Sequence, residues 1–216
     1  MRYLLFFLII ISFSCNSPKT ELTAQNIIDK SIIASGVNKV SNSEITFKFR
    51  DKSYKAIRSN GVFKYSRSFD SIKDELSNDG FERLINTKPL ELPDSIASNY
   101  TNSVNSVHYF SVLPFGLNDV AVFKKLLSSV IIKGKSYYKI QITFSENGGG
   151  EDFEDVFIYW IDKENFLVDY LAYSYHTNGG GVRFRVLKEQ CNRNGIRFVD
   201  YHNYKPLNKS IKLIDI

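Results

Sequence analysis

The chain of 216 residues reads as an α+β protein: an antiparallel meander of about ten strands, entered through one helix and interrupted midway by others. Three observations predict this. Asn-Gly or Asp-Gly occurs five times, at Asn60, Asp79, Asn147, Asn178 and Asn194, each time between short runs rich in aromatic and branched residues. Such dipeptides take the positive φ of tight hairpin turns. Apolar residues recur at helical spacing in one stretch near the start and one near the middle. No internal repeat or low-complexity linker divides the chain, so the residues beyond the leader form one ordinary domain.

The leader is "MRYLLFFLIIISFSC". One charge at Arg2, an apolar run from Leu4 to Phe13 and the small Ser14 match the parts of a secretory signal. The run falls short of the roughly 20 residues that span a bilayer. A cysteine directly after Ser14 resembles a bacterial lipobox, with Ser12 standing where that pattern usually has Leu. The resemblance implies cleavage after residue 14 and acylation of Cys15, which tethers a protein to a membrane without spanning it. The expected organisation is a signal peptide over 1–14, a flexible tether over 15–22 and a folded domain over 23–216. "CNSPKTE" lacks the acidic cluster that resembles a surface-export tag, which places the protein on the outer membrane facing the periplasm. With Cys15 acylated only Cys191 remains, so no internal disulfide forms. Cys191 itself reads as a small apolar filler. The formal charge of +5 falls by one when Arg2 leaves. Export argues against nucleic acid as a partner and for a weak attraction to anionic lipid.

Along the domain, "TAQNIIDKSIIASG" predicts a helix capped by Thr23, with Ala24, Ile27, Ile28 and Ile32 on one face and Gly36 just past its end. Five strands come next, in "ITFKFR", "SYKAIR", "VFKYSRSF", "IKDELS" and "FERLIN". Pro89 and Pro93 break the meander. Asp94 is the expected cap of a second helix in which Ile96, Tyr100, Val104 and Val107 recur at helical spacing. Its Ser and Asn content makes it a poor isolated helix that packing must hold. "DVAVFKKLL" reads as a further short helix. The remaining strands are "VIIKG" into "SYYKIQITFS", "FEDVFIYWI", "FLVDYLAYSYH", "VRFRVLKEQ" and "IRFVDYHNY".

The chain writes Asn-Gly-Gly-Gly twice, from Asn147 and from Asn178, succeeded once by acids and once by arginines. Alternate turns of a meander lie at one end of the sheet, so the two loops are neighbours. If the "DKEN" turn pairs Ile161 with Phe166, one face carries Ile140, Ile142, Phe144, Phe157, Tyr159, Tyr170 and Phe184. The other carries Glu154, Trp160, Asp169, Tyr173 and Arg185. The charges after the turns then form an exposed cross-strand ladder of Glu154, Tyr173 and Arg185, worth roughly 0.2 to 1 kcal/mol per pair. Asp155 and His176 fall on the apolar face near the glycine loops. There they need partners, either a helix or loop end or the polar part of a ligand.

Other chemistry is thin. "EDFED" lacks the spacing of a calcium loop, and His108, His176 and His202 are too dispersed for a zinc pattern. There is no nucleophile elbow and no phosphate-binding glycine loop before a helix. No cofactor, metal or catalytic residue is assigned. His108 reads as a partly buried packing residue.

The runs "IIDKSIIASG", "ITFKFRDKSYKAIRSNGVFKYSRSF", "LPFGLND", "GGGEDFEDVFIYWID" and "DYLAYSYHTNGGGVRFR" together resemble an uncharacterised domain family of bacterial lipoproteins, over essentially the whole mature chain. More remotely, the order helix, meander, central helices, meander is similar to the lipoprotein-localisation (Lol) carriers and related lipid-binding lipoproteins. That likeness implies a strongly curved sheet forming an incomplete barrel, with helices covering its concave apolar side. It implies a lipid or acyl chain as ligand, and the apolar face read from the strand pairing then supplies the cavity residues: Phe144, Phe157, Tyr159, Tyr170, Phe184, Asp155 and His176. Two alternatives stay open: an envelope hydrolase using Asp155 and His176 as an acid/base pair, and a structural envelope protein whose Arg/Glu/Tyr face contacts a partner protein.

Overall fold

The computed structural model describes residues 21–147, 153–176, 179–208, 211–213 and 216. The expected leader, Cys15, Gly148 to Asp152, Thr177 and Asn178 lie outside these. Helix α1 (Ala24–Ala34) begins with a reciprocal cap: Asn26 N donates to Thr23 Oγ1 at 3.1 Å, and Thr23 N donates to Asn26 Oδ1 at 3.2 Å. Two donors that a helix start leaves over are thereby satisfied. Past its end Gly36 takes φ 67°, a left-handed conformation cheap only without a Cβ. A Cβ at Gly36 would also fall on the Gly195 carbonyl. Arg197 N donates to Ser35 O at 2.8 Å, so the end of α1 is clamped to the last hairpin.

A 3₁₀ segment, Val37–Asn42, leads into the first sheet: β1 (Ser43–Phe49), β2 (Lys52–Ser59), β3 (Val62–Phe69), β4 (Ile72–Ser77), β5 (Gly80–Ile85) and β6 (Lys88–Leu90). Helix α2 (Asp94–Ser111) then carries the chain to a second sheet of β7 (Val122–Ile132), β8 (Lys135–Phe144), β9 (Val156–Asp162), β10 (Val168–Tyr175), β11 (Gly181–Arg193) and β12 (Ile196–Tyr204). Both sheets are antiparallel meanders of six strands with neighbours in chain order. Their β1 and β12 ends meet through a cluster of Val37, Val40, Ile45, Val112 and Ile196, with Phe47 and Phe198 against it. The result is an α+β fold in which two open, curved sheets make an unclosed barrel. α2 packs on β3, β4, β5 and β12, while α1 packs on β7.

Several expectations need correcting. The described residues hold twelve strands, two more than the sequence suggests. "DVAVFKKLL" is no helix: its residues from Val122 onward open β7, whose pairing with β8 runs from Val122↔Phe144 to Ile132↔Lys135. A long ladder outweighs a weak helical pattern with two adjacent lysines. Asp94 is the first residue of α2 and Pro93 takes the cap position. There the carboxylate faces the positive end of the helix. Cys191 is exposed.

The largest correction concerns register. Ile161 pairs with Val168 instead of Phe166, and the ladder shifts between Val168 and Tyr170. The turn is longer than the sequence suggested because Asp162 organises it: Oδ1 accepts from Glu164 N at 2.8 Å, and Asp162 N donates to Leu167 O at 2.9 Å. Asp169 is bulged out, which turns every later side chain of β10 to the opposite face. Tyr170 and Phe184 therefore join Trp160, Ile158 and Ala172 on the outer face, where Leu213 and Ile216 cover them. Leu171, Tyr173 and Arg185 move to the inner face instead, so the expected solvated ladder does not form. Glu154 is exposed and takes no part in it.

Candidate functional site

The inner face of the barrel has two unlike walls. That of the second sheet is apolar: Ile140, Ile142, Tyr159, Ile161, Val168 and Leu171 are all fully buried, with Phe157 beside them. Phe144 meets Phe157 edge-on at 5.9 Å, and Tyr173 stacks on Phe157 at 5.0 Å. Of the residues expected to line a cavity, Phe144, Phe157 and Tyr159 thus lie on this wall, and Tyr170 and Phe184 lie behind it. α1 covers one end of the wall with Ile27 and Ile28, and the loop after α2 covers another with Leu113 and Leu117. From α2 itself come Tyr109, whose Oη lies 3.2 Å from Tyr159 Oη, and Phe110. Burial pushes the Tyr109 phenol up to about 12 and that of Tyr159 well above its ordinary value, so both stay protonated.

Phe110 is held from its other side by a cation. The Arg185 guanidinium lies 3.7 Å over its ring and donates from Nη2 to Tyr173 Oη at 3.1 Å. Sequence reasoning set Tyr173 opposite Arg185 on the outer face; in the structure Tyr173 pairs with Arg183 and Leu171 with Arg185, on the inner face, so the contact with α2 was missed.

At the rim, Asp155 and His176 come together. Asp155 is 6% exposed, and its Oδ1 lies 3.6 Å from Nδ1 of the half-exposed His176. Among the described residues no group of three or more His, Cys, Asp or Glu is placed to hold a metal.

The wall of the first sheet is charged, which sequence reasoning missed. Arg67, Asp74 and Arg83 stand in one row across β3, β4 and β5. Asp74, fully buried, accepts from Arg67 Nε and Nη2 at 2.9 and 2.6 Å and from Arg83 Nε and Nη2 at 2.6 and 3.0 Å. α2 closes over the row. Ser103 Oγ accepts from Arg67 Nη1 at 2.7 Å, and the Tyr100 ring lies 3.5 Å from the Arg83 guanidinium. Further along α2, His108 is fully buried, stacked on Tyr65 and edge-on to Phe47 and Tyr54. Its Nε2 lies 3.2 Å from Ser66 O; a carbonyl only accepts, so Nε2 carries the proton. Burial pulls its pKa down to about 4, and Arg58 pulls the same way. The signal was in the sequence: Arg58, Arg67, Asp74 and Arg83 each have an apolar residue two positions away, as in Tyr65-Arg67-Phe69 and Phe81-Arg83-Ile85. A charge sharing the phase of the core residues faces the core.

Two concavities among the described residues bear on the site. One, about 520 Å³, lies at Lys48, Lys55, Lys73 and the serines between them; the other, about 220 Å³, lies at Tyr137, Asp169 and Tyr170. Neither lies between α2 and the apolar wall, whose central residues are buried beneath α1, α2 and the loop after α2.

The chain is similar in structure to a DUF1329 family protein from Desulfovibrio piger, at 13% identity over 87% of this chain and 88% of that one, with a TM-score of 0.54. That likeness shows a shared fold. It is similar also to a LolA superfamily protein from Nitrosomonas europaea, at 12% identity over 87% and 95% of the two chains, with a TM-score of 0.48. Comparison with curated proteins gave no match. The sequence profile of DUF6503, a family of unknown function, matches residues 1–215.

Proposed function

The chain belongs to DUF6503, a family of unknown function, and we propose that it is an envelope lipoprotein, anchored through Cys15, that binds a lipid or acyl chain. The chain lies on the apolar wall of the second sheet once α2 and its following loop swing aside. The observation that carries this reading is the mismatch between wall and cover. The wall is a continuous band of large apolar side chains, with Ile140, Ile142, Phe157, Tyr159 and Ile161 at its centre. Of the 18 residues of α2 only Val104 and His108 are fully buried, and Asn99, Ser103, Asn105 and Ser106 are exposed. A helix so rich in Ser and Asn contributes little stability of its own. An acyl chain can replace its few apolar contacts, since each buried methylene adds about 0.8 kcal/mol. Phe144, Phe157, Tyr159 and Tyr173 are the proposed contact residues, and the outer membrane, facing the periplasm, is the proposed station.

Extraction of the purified protein with organic solvent, then mass spectrometry of the extract, tests this. A lipid recovered at about one per chain supports the reading. Recovery of none, together with no uptake of added dodecanol, ends it.

The contact between Asp155 and His176 favours a second reading, a hydrolase in which the buried carboxylate orients the imidazole as general base. Asp155→Asn with His176→Gln separates the two. Lipid retention persists under the binding reading, whereas cleavage of an ester probe such as nitrophenyl laurate disappears under the second.

A further inference from the structure

Arg58 is a buried cation that its surroundings leave partly unanswered. The residue is 6% exposed. Its Nε donates to Tyr65 Oη at 3.0 Å, and the guanidinium lies 4.6 Å from the Tyr65 ring and 5.6 Å from that of Phe115. Buried Nη1 meets no acceptor among the described residues. Arg67 and Arg83 share the one carboxylate of Asp74. Among the described residues, the inner wall of the first sheet therefore carries three guanidiniums against one buried acid. Arginine cannot shed its proton, and ring faces compensate a buried charge only in part.

Two further facts narrow the reading. His108 shares the Tyr65 ring with Arg58, and its buried Nδ1 also meets no partner among the described residues. With Nε2 donating to Ser66 O, that Nδ1 is an acceptor awaiting a donor. The cover over Arg58 is also the cover of the apolar wall. Val112 and Phe115 pack at the Arg58 end, while Leu113 and Leu117 of the same short loop pack on the second sheet. One movement of this loop uncovers both.

We propose that Arg58 is an anion-binding residue, taking the carboxylate or phosphate oxygens of an amphiphile whose chain lies on the apolar wall. His108 Nδ1 accepts from a hydroxyl or protonated oxygen of the same headgroup. This rests on the binding reading above and gives its ligand a charge.

Titration of the purified protein with laurate, with dodecanol and with inorganic phosphate tests it. Laurate is expected to bind tighter than dodecanol by about ten-fold or more, the scale of a charge-assisted hydrogen bond. In Arg58→Gln the two affinities converge, and Arg58→Lys recovers part of the difference. Equal affinities in the wild type, a comparison that needs no variant, overturn the headgroup site and leave the apolar wall as a binding surface. If neither amphiphile binds, the binding reading falls. Thermal stabilisation by phosphate that Arg58→Gln abolishes then upholds Arg58 as a site for the free anion, and no stabilisation by phosphate overturns that too.

Discussion

Asp74→Ala removes the one carboxylate shared by Arg67 and Arg83. The four hydrogen bonds it accepts, at 2.6 to 3.0 Å, disappear together. Both guanidiniums stay under α2, Arg67 keeping Ser103 Oγ and Arg83 the Tyr100 ring. Deleting one partner of a buried ion pair costs about 3–5 kcal/mol. One acid here serves two cations, so the upper end is expected. At this chain length that corresponds to about 10–20 °C in melting temperature. Urea unfolding monitored by circular dichroism reads the change from the midpoint at constant slope. A control substitutes the cluster as a unit, Arg67→Met, Asp74→Leu and Arg83→Met. It is expected within about 2 kcal/mol of the wild type, because apolar replacement of a whole buried cluster is often neutral. A loss below about 1 kcal/mol in Asp74→Ala would refute the dependence of the two arginines on it. Equal losses in both variants would assign the effect to shape rather than charge.

Gly36→Ala forces a side chain into left-handed backbone and onto the Gly195 carbonyl; a loss of about 3 kcal/mol or more is expected in the same urea assay. His108, neutral when folded with a pKa of about 4, titrates near 6.5 when unfolded. The unfolded chain therefore binds the extra proton between those values, and this contribution to stability is whole above pH 6.5 and declines as pH falls towards 4. About 2 kcal/mol is lost between pH 7 and 5. In His108→Gln that part of the slope is absent, and a slope equal to the wild type's would contradict the burial of a neutral imidazole among Arg58, Tyr54 and Tyr65. Phe110→Ala uncovers Arg185 and Phe157, and is expected to lose about 3 kcal/mol of stability while speeding uptake of dodecanol in stopped-flow mixing. Unchanged uptake would show that Phe110 does not gate the wall.

Local chemistry made most of the fold legible. The Thr23 cap, the Gly36 stop, the hairpins and the Ser/Asn-rich central helix arise from residues within a few positions of one another. β7 was hidden because its evidence lies in β8: Val122 to Ile132 become a strand by pairing, whatever weak helical spacing they show. The inner and outer faces of β10 and β11 were exchanged for a subtler reason. A single bulged residue, Asp169, is held by the Tyr137 hydroxyl at 3.0 Å and lies 3.7 Å from Arg197 Nη2. Neither residue is near it in sequence, and one extra residue in a strand reverses everything after it. Asp155 precedes β9 and is untouched by the bulge, whereas His176 follows it and reaches Asp155 from just past Tyr175, where β10 ends. The arginine wall could have been read from the phase of its charges, had buried cations been admitted as core residues.

Amide hydrogen exchange across Asp94–Leu117, with and without saturating dodecanol, tests most directly whether an acyl chain replaces the helix on its wall. Replacement predicts faster exchange throughout α2 and its following loop, with stronger protection of β8 and β9. Exchange that stays the same in all three segments while dodecanol is bound would contradict it.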